Sequence, residues 1–197
     1  MGAYDGNVSI DRAIAQAVAQ ADMLPSQLPQ DILPMSWLLG AWRGAGQGGY
    51  PGQEGFAFVQ EVVFTTDGRP FLHYHSRTTR LMADGSLGEQ LAVETGYLRP
   101  VPDNKAELLL AHPTGYVEIW TGDITVTGLV DAKITGARME LRTAGLLRTE
   151  TAKDYSGGTR MYGLVNGQLL WVMDMKAVGQ QLAPHVSAQL DRVTLGE

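Results

Sequence analysis

The placement of apolar and polar side chains divides the chain into two parts. In the first 35 residues Ile10, Ala13, Ile14, Ala17 and Val18 recur at helical spacing behind Ser9, a residue suited to cap a helix, which predicts one amphipathic helix over about 9–21. Pro25, Pro29 and Pro34 halt any continuation, so 23–34 reads as a linker that folds over the body of the protein. From Trp37 onward the period becomes two, and Gly, Asp and Asn interrupt it about every ten residues. Strands are expected over 41–47, 57–65, 71–81, 91–99, 106–111, 116–121, 138–143, 146–153, 159–164, 168–175 and 185–193. Asp67-Gly68, Asp84-Gly85 and Asn166-Gly167 are hairpin-turn signals that make the strands they join antiparallel neighbours.

A meander of this length with almost no helix must hide its two sheet edges, and closure does so. The predicted fold is therefore all-β, an antiparallel up-and-down barrel of about ten strands with a short N-terminal helical extension. The expected division is 1–35 for extension and linker and 36–197 for the barrel. A barrel of this size encloses room for one small ligand, which makes the interior the place to look for function.

Composition narrows the function classes. A length of 197 residues with 44% apolar residues fits one globular domain. Fifteen Lys and Arg against twenty-one Asp and Glu, with no basic block, argue against a nucleic-acid partner. The absence of Cys removes disulfides, thiolate metal sites and cysteine nucleophiles. No apolar stretch approaches the roughly 20 residues of a membrane span, and the N-terminus has no basic region followed by an apolar one, so a cytoplasmic protein without a membrane partner is expected.

The four His are the remaining source of metal chemistry. His73 and His75 lie two apart and share one strand face, but no third ligand stands at a suitable spacing, so a surface or core-edge pair is the simpler reading. His112 precedes Pro113-Thr114-Gly115 and reads as a turn residue. His185 follows Pro184 and opens the last strand, where a side chain can point into a barrel mouth. No Gly-x-Ser-x-Gly elbow occurs, and the glycines at 40, 44, 46, 48 and 49 lack the Lys-Ser/Thr of a phosphate loop, so they read as close packing around Trp42.

The blocks Gly40-Ala41-Trp42-Arg43-Gly44-Ala45-Gly46, Tyr50-Pro51, Gly68-Arg69-Pro70-Phe71-Leu72-His73-Tyr74, Glu94-Thr95-Gly96-Tyr97-Leu98-Arg99-Pro100 and Ala111-His112-Pro113-Thr114-Gly115-Tyr116-Val117-Glu118 occur in the order and spacing of the nitrobindins. Thr151-Ala152-Lys153-Asp154-Tyr155, Met161-Tyr162-Gly163-Leu164-Val165 and 175–188 look like its actinobacterial branch. Over about 38–192 the chain thus resembles haem-binding β-barrels of fatty-acid-binding-protein or lipocalin shape. The resemblance implies one haem b per chain, with His185 as the axial and catalytic iron ligand and Lys153 at a propionate. It further implies a ferric haem that binds nitric oxide and isomerises peroxynitrite to nitrate, with Leu91, Ala92 and Met175 lining the pocket.

The chain departs from the family pattern at two points. Gly52-Gln53 replaces the usual Thr-Ile after Tyr50-Pro51, removing a hydroxyl donor near the haem, and Leu91-Ala92 stands where some members carry Met-His on the distal side. These departures motivate an alternative, a non-catalytic carrier of a fatty acid or other apolar ligand. The N-terminal helix motivates a third, a nitric oxide sensor reporting through the extension. Oligomeric state is left open, a homodimer included.

Overall fold

A computed structural model describes residues 6–194, with side chains from residue 12. Ten strands close into one antiparallel barrel in which each strand pairs with its sequence neighbours and β1 pairs with β10. They are β1 Gly40–Tyr50, β2 Gln53–Thr65, β3 Leu72–Leu81, β4 Leu87–Val101, β5 Lys105–His112, β6 Tyr116–Val130, β7 Lys133–Arg148, β8 Tyr155–Val165, β9 Gln168–Ala177 and β10 Ala183–Arg192. All three expected hairpin turns are present, with Gly68, Gly85 and Gly167 at positive φ.

Two expected strands, 138–143 and 146–153, are instead parts of the single strand β7, which ends at Arg148. Ile119 pairs with Gly145 and Trp120 with Thr143, so Ala144 is an extra residue, a bulge that hid the continuity by breaking the period of two. The β6–β7 hairpin is also longer than the pattern indicated. Its turn residues Asp131 and Ala132 have φ of 49° and 62°, and Ala gives no turn signal from sequence.

The N-terminal helix, α1 Gly6–Gln20, starts three residues before Ser9, which is therefore inside the helix and not its cap. The side chain of Ile10 lies outside the described residues. Ala17 is fully buried on the outer barrel wall with Ala41 and Val63, and Ala13, Ile14 and Val18 pack around it. The Gln20 side chain pins the helix end to β2, donating to the Thr66 carbonyl (2.7 Å) and accepting from the Thr66 N–H (2.8 Å).

The proline-rich stretch is ordered and apolar inside. Two 3₁₀ segments, Pro25–Gln27 and Gln30–Leu38, run to the start of β1, and the second packs against β4, β6 and β7. Ile32, Met35, Trp37 and Leu38 are buried in the same core as Leu98, Ala106, Ile124, Met139 and Leu164, so this segment plugs the end of the barrel where β2–β3, β4–β5, β6–β7 and β8–β9 turn. Trp42 fastens it by donating from Nε1 to the Leu38 carbonyl (2.8 Å), and the Arg192 guanidinium stacks 4.1 Å over the Trp42 ring while donating to the carbonyls of Trp37 and Leu39.

Candidate functional site: the open mouth of the barrel

The opposite end is framed by the turns between β1–β2, β3–β4, β5–β6, β7–β8 and β9–β10. β1 leads there from the plug. Trp42, Gly44, Gly46, Gly48 and Tyr50 share its inner face, and Gly46 and Gly48 stand opposite Phe58 and Phe56 of β2. A Cβ on either glycine would lie 2.3 Å from the facing ring, so the glycines let these aromatic rings lie across the inner wall of β1.

His185 sits at an irregularity of β10, where the register shifts between Pro184 and Val186. Such bulges re-aim side chains. The imidazole lies edge-on to Tyr50 and Phe56, with ring centroids 6.1 and 6.4 Å away. Its Nδ1 is 3.0 Å from the Gly49 carbonyl oxygen. A carbonyl only accepts, so Nδ1 carries the proton and Nε2 keeps its lone pair for a metal. Tyr50 braces this corner by accepting from the Ala177 N–H (2.8 Å) and facing the carbonyls of Ala177 (3.1 Å) and Met175 (3.2 Å).

The other sequence-derived positions gather at the same mouth. Met175 is half-buried on the inner face of β9. Leu91 packs on the core at a β4 irregularity, where Ala92 pairs with Thr78 and Gln90 with Thr79, while Ala92 is exposed. Gly52 forms the β1–β2 turn with φ +79°, and the space where a side chain would stand is open. Lys153 lies in the β7–β8 turn with its side chain exposed. Its carbonyl is held by the Tyr116 hydroxyl (2.6 Å) and Arg148 Nη1 (3.1 Å).

His73 and His75 are on the outside of β3, in a groove of about 550 Å³ between α1 and β3–β5 that faces away from the mouth. His73 pairs with Asp67 at 3.3 Å. Among the described residues no group of three or more His, Asp or Glu could hold a metal.

Below the mouth lies a polar layer that the sequence reading missed. Arg160, 1% exposed, donates to both oxygens of Glu94 (2.7 and 3.0 Å) and to the Tyr162 hydroxyl (3.1 Å), while Tyr74 donates to Glu94 Oε2 (2.7 Å). Burial would raise the Glu94 pKa, but the Arg160 guanidinium and these hydrogen bonds override it and hold it at about 2. Glu118, 2% exposed, accepts from the Tyr155 hydroxyl (2.7 Å) and meets His112 Nε2 at 2.7 Å. Burial and the Glu118 carboxylate both push the Tyr155 hydroxyl pKa up. His112 does open the expected turn, its carbonyl accepting from the Gly115 N–H (3.0 Å), but its side chain has a second role inside the barrel. It is the last residue of β5, on the same inward face as Ala106, Leu108 and Leu110, and the turn itself is 113–115. The available signal was charge at core parity, as with Arg160 two before the buried Tyr162.

A closed barrel with one end plugged and a mouth where aromatic rings flank the His185 imidazole, its Nε2 left for a metal, defines a prosthetic-group-binding β-barrel. The chain belongs to the THAP4-like, heme-binding beta-barrel domain family, whose model matches residues 31–192. It is 46% identical over 169 residues to a protein named peroxynitrite isomerase from Nocardioides sp., covering 86% of this chain and 97% of that one. A ferric nitrobindin-like protein from Kineococcus radiotolerans is 43% identical over 186 residues, covering 87% and 98% respectively. The crystal structure of Rv2717c from M. tuberculosis superposes with a TM-score of 0.76 at 38% identity, covering 84% of this chain and 99% of that one. The expected fold is the fold observed, and haem is the cofactor of the family.

Proposed function

We propose that this chain is a peroxynitrite isomerase that converts peroxynitrite to nitrate and binds nitric oxide at a ferric haem b held in the open mouth. The observation that carries the reading is the His185 imidazole, whose Nδ1–H is committed to the Gly49 carbonyl, so that Nε2 would be the atom to hold the haem iron. When bound, the haem supplies an iron centre with one coordination position open to a small molecule.

The chain's own residues do the rest. Tyr50 and Phe56 set aromatic edges beside the imidazole, and Met175 is half-buried on the neighbouring strand β9. Lys153 is the cation assigned to a propionate, and Leu91 and Ala92 line the wall formed by β4. Gly52 leaves its corner of the mouth open. The division into an extension over 1–35 and a barrel over 36–197 is kept in this reading, with the plug at Gln30–Leu38 straddling the boundary. A cytoplasmic location goes with this reading, and the partners are small molecules. The carrier alternative is weaker because the buried cation that would greet a fatty-acid carboxylate, Arg160, is already taken by Glu94 through two hydrogen bonds.

Haemin titration of the parent and of His185→Ala, followed by absorbance, tests the site. A saturable one-to-one Soret change in the parent, lost or shifted in the variant, is expected. Stopped-flow decay of peroxynitrite then tests the reaction, and rates with the haem-loaded protein no faster than with the apo form would sink it.

A further inference from the structure

His112 and Glu118 stand in the wall facing His185. In the closed order of ten strands, β10 and β5 are five places apart in either direction, hence diametrically opposite. β5 ends at His112 and β10 begins at Ala183 on the same mouth, so both imidazoles approach from opposing walls near one rim. Ten strands about 4.8 Å apart and tilted by about 40° close into a ring about 20 Å across. Two side chains reaching inward from opposite walls of such a ring leave a gap of small-molecule size.

The environment of His112 fixes which ring nitrogen carries the proton. Glu118, held by the Tyr155 hydroxyl, is an acceptor whose Oε2 stands 2.7 Å from His112 Nε2 outside hydrogen-bond alignment; a bare nitrogen lone pair so close to a carboxylate oxygen would be repelled, so Nε2 carries the proton. Nε2 is itself buried, whereas the His112 side chain as a whole is 14% exposed. The accessible part of the ring is the part away from Glu118, including Nδ1. Nδ1 has no bonded partner at short range, since the nearest acceptor given, Glu94 Oε1, is 4.0 Å away. Tyr116 closes the side of the ring toward the turn, edge-on at 6.2 Å.

We propose that His112, oriented by Glu118, is the proton acceptor of the mouth for small weak acids, peroxynitrous acid among them, so that the ligand is taken up as its anion. The acid's O–H bond breaks, its proton forms an N–H bond on Nδ1, and no electron changes hands. The proton leaves to solvent once nitrate, the anion of a strong acid, departs. The imidazolium so formed is accommodated because it lies between two carboxylates, Glu118 and Glu94. Together with Arg160 it brings the buried group of two cations and two anions to neutrality. Glu118 acts through His112 and is a positioning residue. The choice of substrate rests on the haem reading above; the orientation of His112 does not.

Two experiments test the assignment. In the apo protein, ¹⁵N imidazole shifts should show His112 protonated on Nε2 and bare on Nδ1, with Glu118→Gln producing a mixture of tautomers. A wild-type His112 protonated on Nδ1 would overturn the proposal. In the haemin-loaded protein, hydrogen cyanide serves as a weak-acid probe that must shed its proton to bind. His112→Gln should slow its association about a hundredfold at neutral pH, with haemin affinity and Soret position unchanged, and the near-isosteric Glu118→Gln should slow it less. Unchanged association rates in both variants would overturn the proposal. A wild type that takes up no haemin would instead overturn the function proposed above, leaving His112 to be judged by the spectrum alone.

Discussion

The two ends of the barrel are built from the same alternating strands yet are opposite in character. The plugged end is filled by chain, with Ile32, Met35, Trp37 and Leu38 buried among core residues of β4, β6 and β7, and its polar groups are paired to backbone carbonyls. At the open end His185, Leu91 and Met175 are only half-buried, and His185 and Leu91 stand at breaks in register. Between them the Arg160–Glu94 layer spends buried charge where an apolar core would have sufficed for stability. The contrast teaches that stability is concentrated at one end, which leaves the other free to keep a shaped, incompletely packed rim for a ligand.

If that division is right, damage at the plug should cost stability and spare haemin binding, and damage at the rim should do the reverse. The largest effect is expected from Trp37→Ala, which empties a buried position of the plug. Equilibrium unfolding in urea should show a loss of about 3–5 kcal/mol, with haemin affinity per folded molecule unchanged. A comparable fall in affinity would mean that the ends are not separable.

Glu94→Gln should follow closely, because it leaves Arg160 buried and unpaired. Its pH dependence has a definite sign. The Glu94 pKa is lowered from 4.5 to about 2 in the folded protein, so its contribution is present in full above about pH 5 and is lost as pH falls toward 2. That contribution is on the order of 3 kcal/mol. Thermal melts between about pH 7 and about pH 3 should show a steeper acid decline in the parent than in Glu94→Gln.

Smaller effects belong to the rim. Gly52→Thr places a side chain into open space at φ +79°, so it should cost only about 1–2 kcal/mol of backbone strain. If the missing hydroxyl matters, the same variant should bind haemin more tightly despite being less stable. Lys153→Ala should weaken haemin binding by about two- to fivefold, as expected for an exposed ion pair, and the loss should shrink in high salt. A change in melting temperature without a change in affinity would place Lys153 on the structural side of the comparison.

The sequence pattern carried most of the architecture. Period-two alternation and the Asp-Gly and Asn-Gly turns were enough for a closed antiparallel barrel, because a strand with one buried face must alternate and a hairpin needs residues that tolerate positive φ. Where these local signals failed, the cause was local too. Ala144 broke the alternation of β7, and the Asp131-Ala132 turn used a residue that does not announce one. The gathering of His185, Lys153, Gly52, Leu91 and Met175 at one end could be followed from strand parity once the meander was known, although their roles came from resemblance.

What only the tertiary structure decided are relations between residues far apart in the chain. The prolines at 25, 29 and 34 look like a linker until 30–38 are seen buried across the barrel end. Arg160 and Glu94 are 66 positions apart, and Gly49 and His185 are 136 apart. His112 looks like the start of a turn because Pro113-Thr114-Gly115 is indeed one; Glu118 lies in the same hairpin, but nothing local reveals Glu94, the carboxylate that β4 brings to the other side of the ring. Alternation and turn chemistry are written within a few residues and so belong to the sequence. Which charges meet inside the barrel depends on closure, since that step brings opposite walls together.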